Sequence, residues 1–258
     1  MKADQVTVVI IVKIIIVKRI YTIRNKKADN FHYQLFLWKK LKKQGHSLKK
    51  RVYLREHLFI PFFQDKPMTS SSHKKIGILI ESDFYEHEIF YYNFRFPEEG
   101  YQIEYLTRLW GHKELTFYGH EYKAPFTCSK SFETITDEEL YTFAAIIVPA
   151  GMVADRLRYT EDVNKIPPAT EFLKRCFTHT HIIKGIICHG IWLTAPAPEI
   201  IRNRKIVCHN NVIGDAKAYG AVYTNSDVVV DNDLVTARTG GHCGVFAKQI
   251  ISLIQNKK

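Results

Sequence analysis

The 258-residue sequence holds no G-x-G-x-x-G loop and no Walker-type glycine loop, so the familiar backbone cradles for nucleotide phosphates are missing and no cofactor is expected. It has no C-x-x-C pair either. Its five cysteines, Cys128, Cys176, Cys188, Cys208 and Cys243, are odd in number and far apart. That excludes a disulfide framework and points to a reducing, cytoplasmic location. Among the histidines His179, His181, His189, His209 and His242, the only close pair is His179-x-His181, with no carboxylate at ligand spacing, so no metal is expected. No apolar run reaches the roughly 20 residues of a membrane-spanning helix; the nearest, Val6–Val17, is interrupted by Lys13. A small-residue cleavage site after that run is also lacking.

A single-sign charge balance over the body of the chain is absent too. The formal net charge is +11, but residues 1–67 carry 16 Lys/Arg against 4 Asp/Glu, whereas residues 68–258 carry 21 against 22. Basicity therefore belongs to the N-terminal segment, through Lys39-Lys40-Leu41-Lys42-Lys43 and Lys49-Lys50-Arg51 interleaved with Phe36, Trp38 and Tyr53. Such a run can lie on anionic lipid or RNA, or be a solvated tail. A third reading starts the working polypeptide near Met68, whose Thr-Ser-Ser-Ser-His-Lys-Lys sequel is a polar lead-in to a first strand. The expected organisation is a basic extension over 1–67 and an α/β domain over 68–258.

From Met68 onward, short apolar runs alternate with helical stretches. Strands are expected at 75–80, 102–107, 143–148, 182–187 and 205–207, with a hairpin or loop over 116–127. A second hairpin is expected at 228–231 and 234–237 around Asn232-Asp233. Helices are expected from Glu86 to Phe96, closed by Pro97 and Gly100, from Pro168 to Phe177, and from Gly244 to Ile254. Continuous apolar strands separated by helices predict a mostly parallel sheet covered on both faces.

In such a sheet, chemistry collects beyond the carboxyl ends of the strands. Cys188 follows the expected strand Ile182–Ile187 directly, with His189 and Gly190 next to it. A cysteine on a strand-to-helix elbow there would have its thiolate favoured by the helix N-terminus, and nearby backbone N–H groups would bind an oxyanion. Acids and bases lie at the other strand ends: Glu81, Asp83, Glu86 and Glu88, then Asp155 and Arg156, then Cys208 and His209.

In order along the chain, Glu88, Val148-Pro149-Ala150-Gly151 with Asp155-Arg156, Ile187-Cys188-His189-Gly190, and Asp227–Asp231 with Leu234–Arg238 resemble the landmarks of the ThiJ/PfpI family. This family lies within the class I glutamine-amidotransferase-like superfamily. The resemblance covers about Lys74 to Ile254 and implies a flavodoxin-like sandwich with a nucleophile elbow. It implies Cys188 as nucleophile, a protonated Glu88 hydrogen-bonded to its sulfur, and His189 as base. It further implies Asp155 as an acid reaching that histidine from a neighbouring subunit, His209 as an alternative histidine, and backbone donors at Gly151 and His189. A homo-oligomer, dimer or higher, is implied as well. Substrates in the family's range are peptides, small amides and reactive α-oxoaldehydes; nucleic acid or membrane would be met only through residues 1–67. Ile191 and Trp192 depart from the proline and small or amide residue usual after the elbow, and Ala150 replaces a glycine. Gly240-Gly241-His242-Cys243 also replaces the usual loop before the last helix. Two functions follow from these residues: a cysteine-dependent hydrolase or glyoxalase/deglycase-like enzyme, or a non-catalytic oxidative-stress sensor or chaperone-like protein with an oxidisable Cys188.

Overall fold

The structure is a computed structural model and describes residues 75–257. The expectations for residues 1–67 lie outside the described residues. Strand β1 (Lys75–Leu79) leads through α1 (Glu86–Glu98) to β2 (Gln102–Leu106). A small antiparallel pair, β3 (Leu115–Tyr118) and β4 (Pro125–Cys128), and the single turn α2 (Asp137–Leu140) precede β5 (Phe143–Val148). Helices α3 (Val153–Leu157) and α4 (Pro168–Thr178) lead to β6 (Ile183–Ile187). Beyond it, β7 (Lys205–Ile206) and β8 (Val222–Tyr223) pair around α5 (Ile213–Ala218). The hairpin β9 (Val228–Asp231) and β10 (Leu234–Ala237) follows, and α6 (Cys243–Asn256) closes the described chain.

The main sheet has the order β2-β1-β5-β6-β10-β9, parallel throughout except for β9 against β10. Strands β5 and β6 are buried along their whole length; β5 therefore reads as an unbroken apolar run, and in β6 Lys184 interrupts the isoleucines. Alternation along β6 also separates the covering helices. A side chain at Gly185 would meet Phe246 and Ile250 of α6 at 2.7 and 2.8 Å, whereas the neighbouring Lys184 points at Phe177 of α4. Successive residues of a strand face opposite ways, so α6 and α4 cover opposite faces. This is the mostly parallel, doubly covered sheet expected from the pattern of runs, and the flavodoxin-like α/β arrangement that the family resemblance implied. Among the described residues, no helix is long and apolar enough to cross a membrane.

Two local expectations change. Helix α1 runs through Pro97 to Glu98 instead of stopping before it, and Gly100, at φ 82°, donates its N–H to Pro97 O to end the helix. The segment after β6 is not an α-helix: Cys188–Thr194 is a seven-residue 3-10 turn. Pro196 and Pro198 follow closely, and each lacks the N–H and the freedom in φ that a longer helix would need.

Candidate active site

Register brings four chain segments to one edge. Ile147 of β5 pairs with Ile78 on one side and Gly185 on the other, and Ile187 pairs with Ala237 of β10. The residues that follow these strands therefore meet beyond the carboxyl ends. The β1–β5 neighbourhood is where the strand order reverses, the position at which open α/β sheets hold their ligands.

Cys188 takes up a left-handed backbone at φ 62°, although it is not glycine. For an L-residue that conformation costs about 1–2 kcal/mol, and it turns the side chain out of the strand line. The sulfur lies 3.4 Å from His189 Nδ1. Backbone N–H groups of Gly240, His189 and Gly151 face it as well. Gly151, at φ 87°, is required where it stands, because a Cβ there would run into the Asp83 carbonyl oxygen. Gly240 lies so close under the Tyr85 ring that no side chain fits. Its donor is the one sequence reasoning passed over. The available signal was a glycine three residues past the strand that pairs with β6.

Burial raises the Cys188 thiol above its ordinary range; the Gly240 and His189 amides oppose this, and the charge of Glu88 adds to it. His189 is shifted the other way, chiefly by burial and then by the nearby His209, so its neutral form is favoured. Both shifts favour the neutral forms, thiol and imidazole, against the thiolate that a helix N-terminus would favour. The physical reason is desolvation, and the seven-residue 3-10 turn offers no long helix to offset it.

Glu88, from the first turn of α1, is fully buried. One carboxyl oxygen accepts from Tyr92 Oη at 2.7 Å and the other from Ala150 N at 2.8 Å. Burial pushes its pKa up to about 8 against these two bonds. Its carboxyl is therefore engaged by Tyr92 and the Ala150 amide rather than by the sulfur, which it influences through charge. Asp155 is not brought to His189 within the chain: it lies on α3 and accepts from Arg158 Nη2 at 2.6 Å. His209 stacks on His189, with ring centroids 4.6 Å apart and planes at 27°, and its Nδ1 accepts from Asn211 N. Of the two histidines it is His189 whose nitrogen faces the sulfur. Ile191 is buried, whereas Trp192 sits beside the His189 ring at 4.9 Å. The His179–His181 pair precedes β6 and so lies at the opposite end of that strand from Cys188.

Comparison with known proteins bears on the family and the fold. Residues 74–253 match the model of the DJ-1/PfpI family. Protein/nucleic acid deglycase 2 of Escherichia coli is 31% identical over 182 residues, 70% of this chain and 98% of that protein. Deglycase PfpI of Pyrococcus furiosus is 24% identical over 181 residues, again 70% of this chain and 99% of that protein. Among solved structures, a ThiJ/PfpI domain protein from Brachyspira murdochii superposes with a TM-score of 0.61 at 18% identity, covering 72% of this chain and 99% of the other. The relatives' names support hydrolase-like activity in general. With the family model spanning most of its length, the chain belongs to the DJ-1/PfpI family.

Proposed function

We propose that this chain is a cysteine-dependent hydrolase of deglycase or amidase type, acting on small carbonyl or amide substrates with Cys188 as nucleophile and His189 as its base. The observation that carries this reading is the strained Cys188, its sulfur 3.4 Å from His189 Nδ1 and ringed by three backbone N–H groups. As Sγ attacks the carbonyl carbon, the thiol proton passes to Nδ1 and the carbonyl electron pair moves onto oxygen. The Gly151, His189 and Gly240 amides are the donors available to that oxyanion. With an amide substrate, the C–N bond then breaks as the imidazolium returns the proton to the departing nitrogen, leaving a thioester on Cys188. A water then attacks the thioester, gives its proton to His189, and frees the sulfur. Starting from a neutral pair suits this sequence, because no separated charge has to be kept in a buried site at rest.

The sensor reading has less support. Peroxide reacts with thiolate, and burial that raises the Cys188 pKa reduces the thiolate fraction at neutral pH. Turnover of methylglyoxal adducts, small amides and peptides by the parent, Cys188→Ala and Cys176→Ala proteins tests the enzyme reading. The Cys188 variant is expected to lose at least about 1,000-fold in kcat/KM. The Cys176 variant changes a buried thiol of α4 and keeps its turnover. Equal turnover in Cys188→Ala, or rapid peroxide titration of Cys188 with no turnover in the parent, would overturn the proposal.

A further inference from the structure

The reaction above leaves one large side chain at the site unused. Trp192 follows His189 by three residues on the 3-10 turn. In a 3-10 helix, residues three apart eclipse one another, whereas in an α-helix they share a face but are offset by about 60°. The turn that replaced the expected α-helix therefore sets the indole beside the imidazole, with centroids 4.9 Å apart and planes at 47°.

The indole is itself fixed from outside the turn. Its Nε1–H donates to Asp215 Oδ2 of α5 at 3.3 Å. The Arg158 guanidinium sits 5.3 Å from its ring centroid, and Asp155 holds that guanidinium at 2.6 Å. Aromatic contacts of this kind contribute about 0.5–1.5 kcal/mol each, enough to select one side-chain orientation. His189 is consequently set by three neighbours: Trp192, the stacked ring of His209, and the Cys188 sulfur.

We propose that Trp192 is a positioning residue, an indole anchored by Asp215 and Arg158 that keeps His189 Nδ1 facing the Cys188 sulfur. The inference rests on the reading of Cys188 and His189 as the reacting pair, and it gives that pair a support the sequence offered only as a departure. Asp155 then acts within its own chain, through Arg158 and Trp192. The charged and titratable groups around the imidazole are Cys188 and His209 directly, with Arg158, Asp155 and Asp215 behind the indole. Burial, to which the indole contributes, favours the neutral imidazole, as does His209.

Two readouts on the full chain separate positioning from mere packing. One is the NMR titration of the His189 ring, assigned against His189→Gln. The other is the pH profile of Cys188 alkylation by iodoacetamide. In Trp192→Ala the His189 midpoint is expected to rise toward the ordinary value of about 6.5. Alkylation at neutral pH should fall by about tenfold, toward that of His189→Gln. Trp192→Phe keeps a ring and should restore most of both. Arg158→Met combined with Asp215→Ala frees the indole without removing it; it should move both readouts in the direction of Trp192→Ala, and it serves as the test where that variant does not fold. Parent-like titration and alkylation in a folded Trp192→Ala, or in the double variant, would overturn the proposal. An alkylation profile unchanged in His189→Gln would instead overturn the reacting pair, while the ring titration would still report on Trp192.

Discussion

The two ends of β6 bury polar chemistry in opposite ways. At its start, Lys184 is fully buried, and its ammonium ion-pairs with Asp233 and donates to the His179 carbonyl at 3.2 Å. Asp233 also takes Arg204 at 2.9 Å, and Arg204 reaches Asp231 at 3.1 Å. Burial brings the Lys184 pKa below its ordinary range, with Asp233 offsetting part of the shift; burial would likewise raise Asp233, but Lys184 and Arg204 outweigh it and bring Asp233 below its ordinary range. Past the other end of the strand, about 13 Å along, Cys188 and Glu88 undergo the same desolvation with only hydrogen bonds and no opposite charge against it, and both are raised. Compensated burial fixes how the chain is stitched together. Uncompensated burial favours the protonated, uncharged forms of Cys188 and Glu88.

The largest effect that would break this comparison is at the compensated end. Lys184→Met leaves Asp233 with Arg204 alone, and breaking a buried pair from one side typically costs about 3–5 kcal/mol. The midpoint of urea unfolding should fall accordingly, with the Cys188 alkylation rate of the folded protein unchanged. A loss below about 1 kcal/mol would mean that the pair contributes no more than a surface one, and the contrast between the two ends would fail.

At the uncompensated end the corresponding test is the pH dependence of stability. The native Glu88 pKa is raised to about 8 from an ordinary 4.5, so between those values the unfolded chain releases a proton that the native chain retains. Stability from this group is therefore fully present below about pH 4.5 and is lost as pH rises toward about 8. By pH 7 the loss should amount to about 3 kcal/mol. Glu88→Gln carries no proton to lose and should flatten the slope across this window, read as unfolding free energy at successive pH values. An identical slope in parent and variant would show that Glu88 ionises freely in the native state.

How much of this was legible in the sequence follows from which forces are local. Strand β5 could be read because full burial writes itself as an apolar run, Phe143–Val148, and β6 because isoleucine pairs flank Lys184-Gly185. The position of Cys188 was legible for the same reason, since it abuts β6. The 3-10 turn was not, because the choice between α and 3-10 over Cys188–Thr194 depends on proline placement beyond it. Gly240 was not identified as a donor because the pairing of β10 with β6 is long-range. The partners of Glu88 and Asp155 were also out of reach. Within the chain Glu88 meets Tyr92 and Asp155 meets Arg158, each about one turn further on, contacts that the family landmarks did not single out.

The smallest effect tests the strain at the elbow itself. At an ordinary buried strand position such as Ala237, replacing alanine with glycine costs about 1 kcal/mol, because glycine gives up more backbone freedom and a buried methyl is lost. At position 188 the same exchange, comparing Cys188→Ala with Cys188→Gly, also relieves the penalty of a left-handed residue at φ 62°. That relief is worth about 1–2 kcal/mol, so the two losses should be offset. Cys188→Gly should therefore equal Cys188→Ala in stability or exceed it slightly, while Ala237→Gly falls below the parent. Matched urea titrations of the four proteins read this directly. Should glycine cost as much at 188 as at 237, the elbow would be unstrained, and the geometry presenting the sulfur to His189 would have to be held by the Gly151 and Gly240 contacts alone.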